Sequence, residues 1–184
     1  MKPVRRTCGS LVRQRGATLL EIVTVIAMIA VIAALAVPSF QSLVLQNRVT
    51  ATVNDLSRDI GFARTQAVAM GRSVVMCVST DQISCTGGSW QQGWIVWVDK
   101  DQNGTRDTDN EPLLRAVPAI PSSITTITAS GFASATTLVF TPMGELAVGA
   151  GSFKICSPDK SVGRLLSVAG TGVSQIVKTP CGSS

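Results

Sequence analysis

The stretch RQRGATLLEIVTVIAMIAVIAALAVPSF, residues 13–40, holds one acid, Glu21, inside an otherwise apolar run. From position 17 to 37 only Thr18, Glu21 and Thr24 interrupt 21 residues of hydrocarbon. Wound as an α-helix, such a run is about 31 Å long, close to the thickness of one bilayer core. A carboxylate in hydrocarbon costs on the order of 2.5–3.5 kcal/mol on insertion scales. Glu21 therefore calls for a reason that hydropathy alone does not supply.

Charge is arranged around this run in one direction. Of the 16 Lys and Arg residues, five (Lys2, Arg5, Arg6, Arg13 and Arg15) precede Gly16; the eleven that remain balance the eleven acids. The next positive charge after the run is Arg48. The excess of +5 thus belongs to the first 16 residues and says nothing of a nucleic-acid surface beyond them. Positive residues on one side only place the N-terminus in the cytoplasm and the rest across the membrane. The chain has no His at all, which removes Ser-His-Asp and Cys-His nucleophiles and His-based metal sites. It contains neither a P-loop nor a GxGxxG motif, and no catalytic residue or cofactor is expected.

A plain signal anchor explains the hydropathy but not Glu21. A cleaved secretory signal finds an A-x-A triplet at Ala34-Leu35-Ala36. Against it stand an acid inside the apolar region and a helical pattern that does not stop at Ala36. A third reading rests on Arg15-Gly16, then Ala17-Thr18-Leu19-Leu20-Glu21, then the apolar run closed by Pro38. These residues resemble the prepilin leader of type IV pilins and type II secretion pseudopilins. The resemblance implies cleavage after Gly16 by a prepilin peptidase and N-methylation of the new first residue, Ala17. It implies that Glu21 docks subunits by pairing with the amine of a neighbour, and that Pro38 bends the helix. Ala17 departs from the family's usual Phe.

Past Pro38, Val49, Val53, Leu56, Ile60, Ala63 and Ala67 recur at spacings of four and three. That is one apolar stripe of an amphipathic helix, with Arg48, Asp55, Arg58, Asp59 and Arg64 off the stripe and Gly71 as a stop signal. Beyond Gly71 the period shortens. Candidate strands cover 73–79, 93–99, 113–117, 136–140, 152–156, 164–169 and 173–178, separated by Pro, Gly and Ser clusters. The 93–98 segment is apolar on both faces, as a covered central strand is. The predicted fold class is α+β, with a long N-terminal helix packed on an antiparallel sheet domain. The expected organisation is a leader at 1–16, a transmembrane helix at 17–37, its amphipathic continuation at 38–71 and a periplasmic β-rich domain at 72–184.

Cys77, Cys85, Trp90, then Gly93-Trp94-Ile95-Val96-Trp97, an Asp/Asn/Gly loop and Glu111-Pro112-Leu113-Leu114-Arg115 resemble the GspH/FimT group of minor pilins and pseudopilins. The likeness covers the leader, the helix and roughly residues 73–115. It implies a pilin-like fold and a subunit held in the bacterial inner membrane before it joins or primes a type IV pilus or pseudopilus. The partners it implies are the prepilin peptidase, other pilins or pseudopilins, and the membrane. Cys8 falls in the leader, which leaves four cysteines for an oxidising periplasm. Four allow three pairings; Cys77–Cys85 and Cys156–Cys181 are favoured over a four-thiolate zinc site, whose C-x2-C spacing is missing. The three tryptophans read as core and turn packing rather than a ligand platform.

Two further segments invite binding readings. Residues 99–107, DKDQNGTRD, copy the first nine positions of an EF-hand loop. Position twelve is Asn110, Glu111 falls one place late, and the flanks read as strands, so a solvated hairpin loop without metal is expected. The alternative function is DNA capture in DNA uptake, by analogy with FimT proteins carrying a GRxR-type tail. Here the tail is Gly163-Arg164-Leu165-Leu166, with Leu166 where a second arginine would stand. Arg164 and Lys178 would carry nucleic-acid binding, the less favoured partner.

Overall fold

A computed structural model describes Gly16 and residues 18–182, with the side chains of Leu35 and of residues 37–39 outside the description. The chain divides into two compact units, the first ending at Gln41 and the second starting at Ser42. One helix, α1 (Leu19–Met70), supplies the N-terminal unit and the opening of the second. It ends where the sequence places its stop. Gly71 takes φ 59°, and the Arg72 and Gly71 amides turn back to the Ala67 and Val68 carbonyls, both at 3.3 Å. This pair of bonds is a Schellman motif, which needs a residue at ease with positive φ.

Eight strands follow among the described residues: β1 (Ser73–Val78), β2 (Trp94–Asp99), β3 (Leu113–Val117), β4 (Thr126–Ser130), β5 (Thr137–Phe140), β6 (Gly151–Cys156), β7 (Gly163–Val168) and β8 (Ser174–Lys178). They form two four-stranded sheets, ordered β3-β2-β1-β5 and β4-β6-β7-β8. Every pairing is antiparallel. β4 has no counterpart among the sequence-predicted strands. Its sequence, TITAS, alternates correctly, yet only Ile127 is a large apolar residue, so the signal is faint.

The six stripe residues of α1, from Val49 to Ala67, are fully buried. They share one apolar cluster with Val74, Met76, Val78, Trp94 and Val96 of the first sheet and with Phe153, Ile155, Leu166 and Val168 of the second. Each buried Val, Leu or Ile contributes about 1.5–3 kcal/mol, so the stripe is a main reason this half of the helix is held. Alternation then sends Val75, Cys77, Ile95 and Trp97 to the opposite face of β1 and β2, where they form a second buried cluster. β1 and β2 are the two inner strands of their sheet and are buried along their whole length, as the doubly apolar 93–98 run anticipates. Trp90, Trp94 and Trp97 are all core residues, at most 2% exposed.

Candidate assembly surface

Within the unit that ends at Gln41, Thr18 caps α1: its Oγ1 accepts the Glu21 N–H at 3.2 Å. Thr18-Leu19-Leu20-Glu21 has the spacing of a capping box, a local signal that an argument from membrane charge overlooks. Glu21 lies in the first helical turn, where the helix dipole favours an anion by about 0.3–1 kcal/mol. Its carboxylate is exposed. The apolar residues on either side of it are exposed as well, from Leu19 at 82% to Val25 at 49%. They point to all sides, and a helix that is apolar all round is one that requires cover.

Gly16 is exposed and has open space where a side chain would stand. Ala17 and residues 1–15 lie outside the described residues, and with them the expected methylation site and the basic leader. The Pro38 side chain, assigned to a bend, is outside them too, although α1 is helical through that position. Counted over the described residues alone, no helix is long and apolar enough to cross a membrane.

In the second unit a polar clasp holds α1 to the first sheet. Asp59 is 3% exposed and accepts the Trp94 indole N–H at 2.9 Å through Oδ2. Its Oδ1 receives the Arg115 guanidinium, which also lies 4.5 Å over the Phe62 ring. The sequence places Asp59 off the apolar stripe, and the fold nevertheless buries it because Trp94 and Arg115 satisfy it there. Arg64 makes a second clasp, its Nε donating to the Gly144 carbonyl at 3.0 Å and the Thr171 carbonyl at 3.2 Å.

Disulfides close the two ends of the strand region, Cys77–Cys85 and Cys156–Cys181. The second needs Gly163, since a Cβ there would lie 2.3 Å from Cys181 Sγ. Asp81 organises the smaller loop by accepting from Ser84, Ile83 and Ser79. Those hydrogen bonds, the Ser84 hydroxyl first, hold its carboxyl well below the usual range. Asp159 is lowered in the same way by Ser157 and Ser161. Asp99 moves upward, chiefly through burial and then through Glu111 and Asp101 beside it. These acids shape turns and strand ends, and the clasp carboxylate Asp59 is fully engaged.

The fold resembles two solved proteins at low sequence identity. The type IV minor pilin FimU of Pseudomonas aeruginosa superposes with a TM-score of 0.54 at 21% identity, covering 75% of this chain and 92% of that one. The minor pseudopilin EpsH of the Vibrio cholerae type 2 secretion system gives 0.51 at 8% identity, covering 71% and 97%. No curated protein matches the sequence significantly. A family match decides the matter: residues 52–172 fit the family described as type II transport protein GspH. The chain belongs to the GspH family. Its members are membrane-anchored periplasmic pilins, structural proteins rather than known enzymes, and they assemble with other pilins. This GspH-family chain is accordingly a minor pilin or pseudopilin of a type IV pilus or a type II secretion system.

The remaining sequence-predicted residues take their places in that frame. Arg164 and Lys178 are register partners across β7 and β8 and line an open cleft of about 310 Å³ with Gln46, Ser161 and Pro180. Arg164 donates to the neighbouring Gly163 carbonyl at 3.0 Å. Leu166 is fully buried, so the position where a tail arginine would stand serves the core. Nothing in the comparisons supports DNA as a partner of this GspH-family chain.

Proposed function

We propose that this GspH-family subunit is made as a prepilin, cut between Gly16 and Ala17 by a prepilin peptidase, N-methylated on Ala17, and held in the inner membrane by the first half of α1 until it enters a filament. The observation that carries the proposal is the pairing of an exposed Glu21 with exposed apolar residues on all sides of α1. Such a surface is compatible with two surroundings, lipid and the packed helices of other subunits. The local cap and the helix dipole make the acid tolerable in the first, at the helix end. In the second, the new amine of a neighbouring subunit neutralises it. The charge thereby favours the assembled state over the dispersed one. The 17–37 run supplies the membrane length and the five preceding cations supply the orientation.

Two measurements test this. N-terminal mass spectrometry of membrane-extracted protein is expected to find methylated Ala17 as the first residue; a first residue at Val37 would indicate a secretory signal and remove the mechanism. Glu21→Val is expected to insert in the membrane at least as well as the native chain yet enter filaments poorly. Equal incorporation of the variant refutes the docking role.

A further inference from the structure

We infer that the connection between β2 and β3 is a calcium site whose ligands are the carboxylates of Asp99, Asp101 and Glu111. Its first nine residues have the EF-hand order, with Asp at positions one and three, Asn at five, Gly at six and Asp at nine. The backbone bends as that order requires. Gly104, the sixth position, has φ 73° and donates its N–H to Asp99 Oδ2 at 3.1 Å.

Counting along the sequence makes Glu111 one residue too late for the twelfth position, and the structure removes that objection. In an EF-hand the acid is delivered by a helix. Here the loop closes toward a strand, and Glu111 N–H bonds the Asp107 carbonyl at 2.8 Å, which brings its side chain back over the loop. One oxygen each from Asp99, Asp101 and Glu111 lie within 4.8 Å of one another. Calcium–oxygen bonds of about 2.3–2.6 Å allow ligands on opposite sides of an ion to stand about 4.6–5.2 Å apart. Magnesium, at about 2.0–2.1 Å, demands a stricter octahedron and keeps more of its water. An all-oxygen donor set in EF-hand order is the kind that calcium takes.

The burial and hydrogen bonding of Asp99 itself point to a ligand. Asp99 is 3% exposed, and its Oδ1 is buried without a hydrogen-bond partner among the described residues. A buried, unpartnered carboxylate oxygen is costly, and native folds rarely keep one without a counter-ion or donor. Glu111 is buried to the same degree. Its two oxygens take the Lys100 and Asp107 backbone N–H groups at 2.7 and 2.9 Å, which leaves each with a further lone pair. The cations of the loop are directed elsewhere: Lys100 Nζ donates to the Asn110 carbonyl and Arg106 Nη1 to the Ile83 carbonyl. Among the described residues no salt bridge reaches the three acids.

A bound ion would join the end of β2 to the approach of β3 and order the loop between them. Because Arg106 reaches Ile83, the same ion would steady the Cys77–Cys85 loop. Affinity of order 10⁻⁴–10⁻³ M fits three carboxylates on a largely exposed loop.

The test uses the full chain in detergent, freed of metal with EGTA and titrated with calcium chloride, with magnesium chloride as the control for ionic strength. Calorimetry and thermal unfolding are read together. The expected result is heat of binding and a melting temperature that rises with calcium but not with equal magnesium. Asp101→Asn alters an exposed ligand, so the fold without metal is expected to melt as the native protein does while calcium binds at least about tenfold more weakly. Glu111→Gln is expected to weaken binding as well. No response up to about 10 mM calcium, tenfold above the weak end of that class, overturns the inference. So does an equal response to magnesium, or an unchanged response in Asp101→Asn.

Discussion

Replacing Asp59 with Ala removes the acceptor on which the helix-to-sheet clasp turns. Trp94 is fully buried, and its indole N–H has Asp59 Oδ2 as its partner at 2.9 Å. Leaving that donor unsatisfied costs about 1–3 kcal/mol. The Arg115 side chain is 36% exposed, so it regains water, and the lost ion pair adds about 1 kcal/mol or less. Removing a buried carboxylate also removes its desolvation penalty, which offsets part of the loss. The net expectation is a loss of about 2–3 kcal/mol, or about 1 M in the urea midpoint for a slope of about 2 kcal/mol/M. Tryptophan fluorescence of the full chain in detergent follows the transition. Asp59→Asn keeps an acceptor for the indole and is expected to lose about half as much. Trp94→Phe removes the donor, so the double variant Asp59→Ala/Trp94→Phe is expected to be milder than the sum of its parts by about 1–2 kcal/mol. Equal losses for Ala and Asn, together with an additive double variant, would show that the clasp is incidental to stability.

Three further outcomes are expected. Loss of the Cys156–Cys181 bond, at a separation of 25, removes about 3.5 kcal/mol in the loop-entropy account, against about 2.6 kcal/mol for Cys77–Cys85 at a separation of 8; urea midpoints of paired Cys→Ser variants check the order, and a larger loss for the short loop contradicts it. Gly93→Ala is expected to lose more than about 2 kcal/mol or to fail to accumulate, because φ is 104° there and the new Cβ would lie 2.5 Å from the Val117 carbonyl oxygen; near-native thermal unfolding refutes the stated strain. Asp81 has a folded pKa below its unfolded one, so its contribution is complete above the unfolded value near 4 and is lost only as pH falls through the lower folded value. Its carboxyl carbon chemical shift is expected to stay constant from pH 7 to about 4, and a midpoint near 4 contradicts the hydrogen-bond account.

Much of this protein is legible in the sequence because the deciding signals are local. The spacing from Val49 to Ala67 reports a buried helical stripe, since residues three and four apart share a helix face. The doubly apolar run at 93–98 reports an inner strand, and Gly71 reports the helix end. Basic residues before Gly16 and the lone Glu21 are local signals too, and the processing and docking read from them belong to the proposed function.

Other features depend on which distant segments meet. The division of the strands into two sheets follows from β4 and β5 pairing with different partners, β6 and β1, and no local period encodes that choice. Asp59 reads as a surface acid until Trp94 and Arg115 arrive from two strands to satisfy it. Leu166 reads as a missing arginine until register turns it into the core. Glu111 reads as one residue out of place until the return of the loop sets its carboxylate beside Asp99 and Asp101. In each case the physical reason is the same: periodicity acts between neighbours in sequence, whereas burial and charge compensation act between neighbours in space.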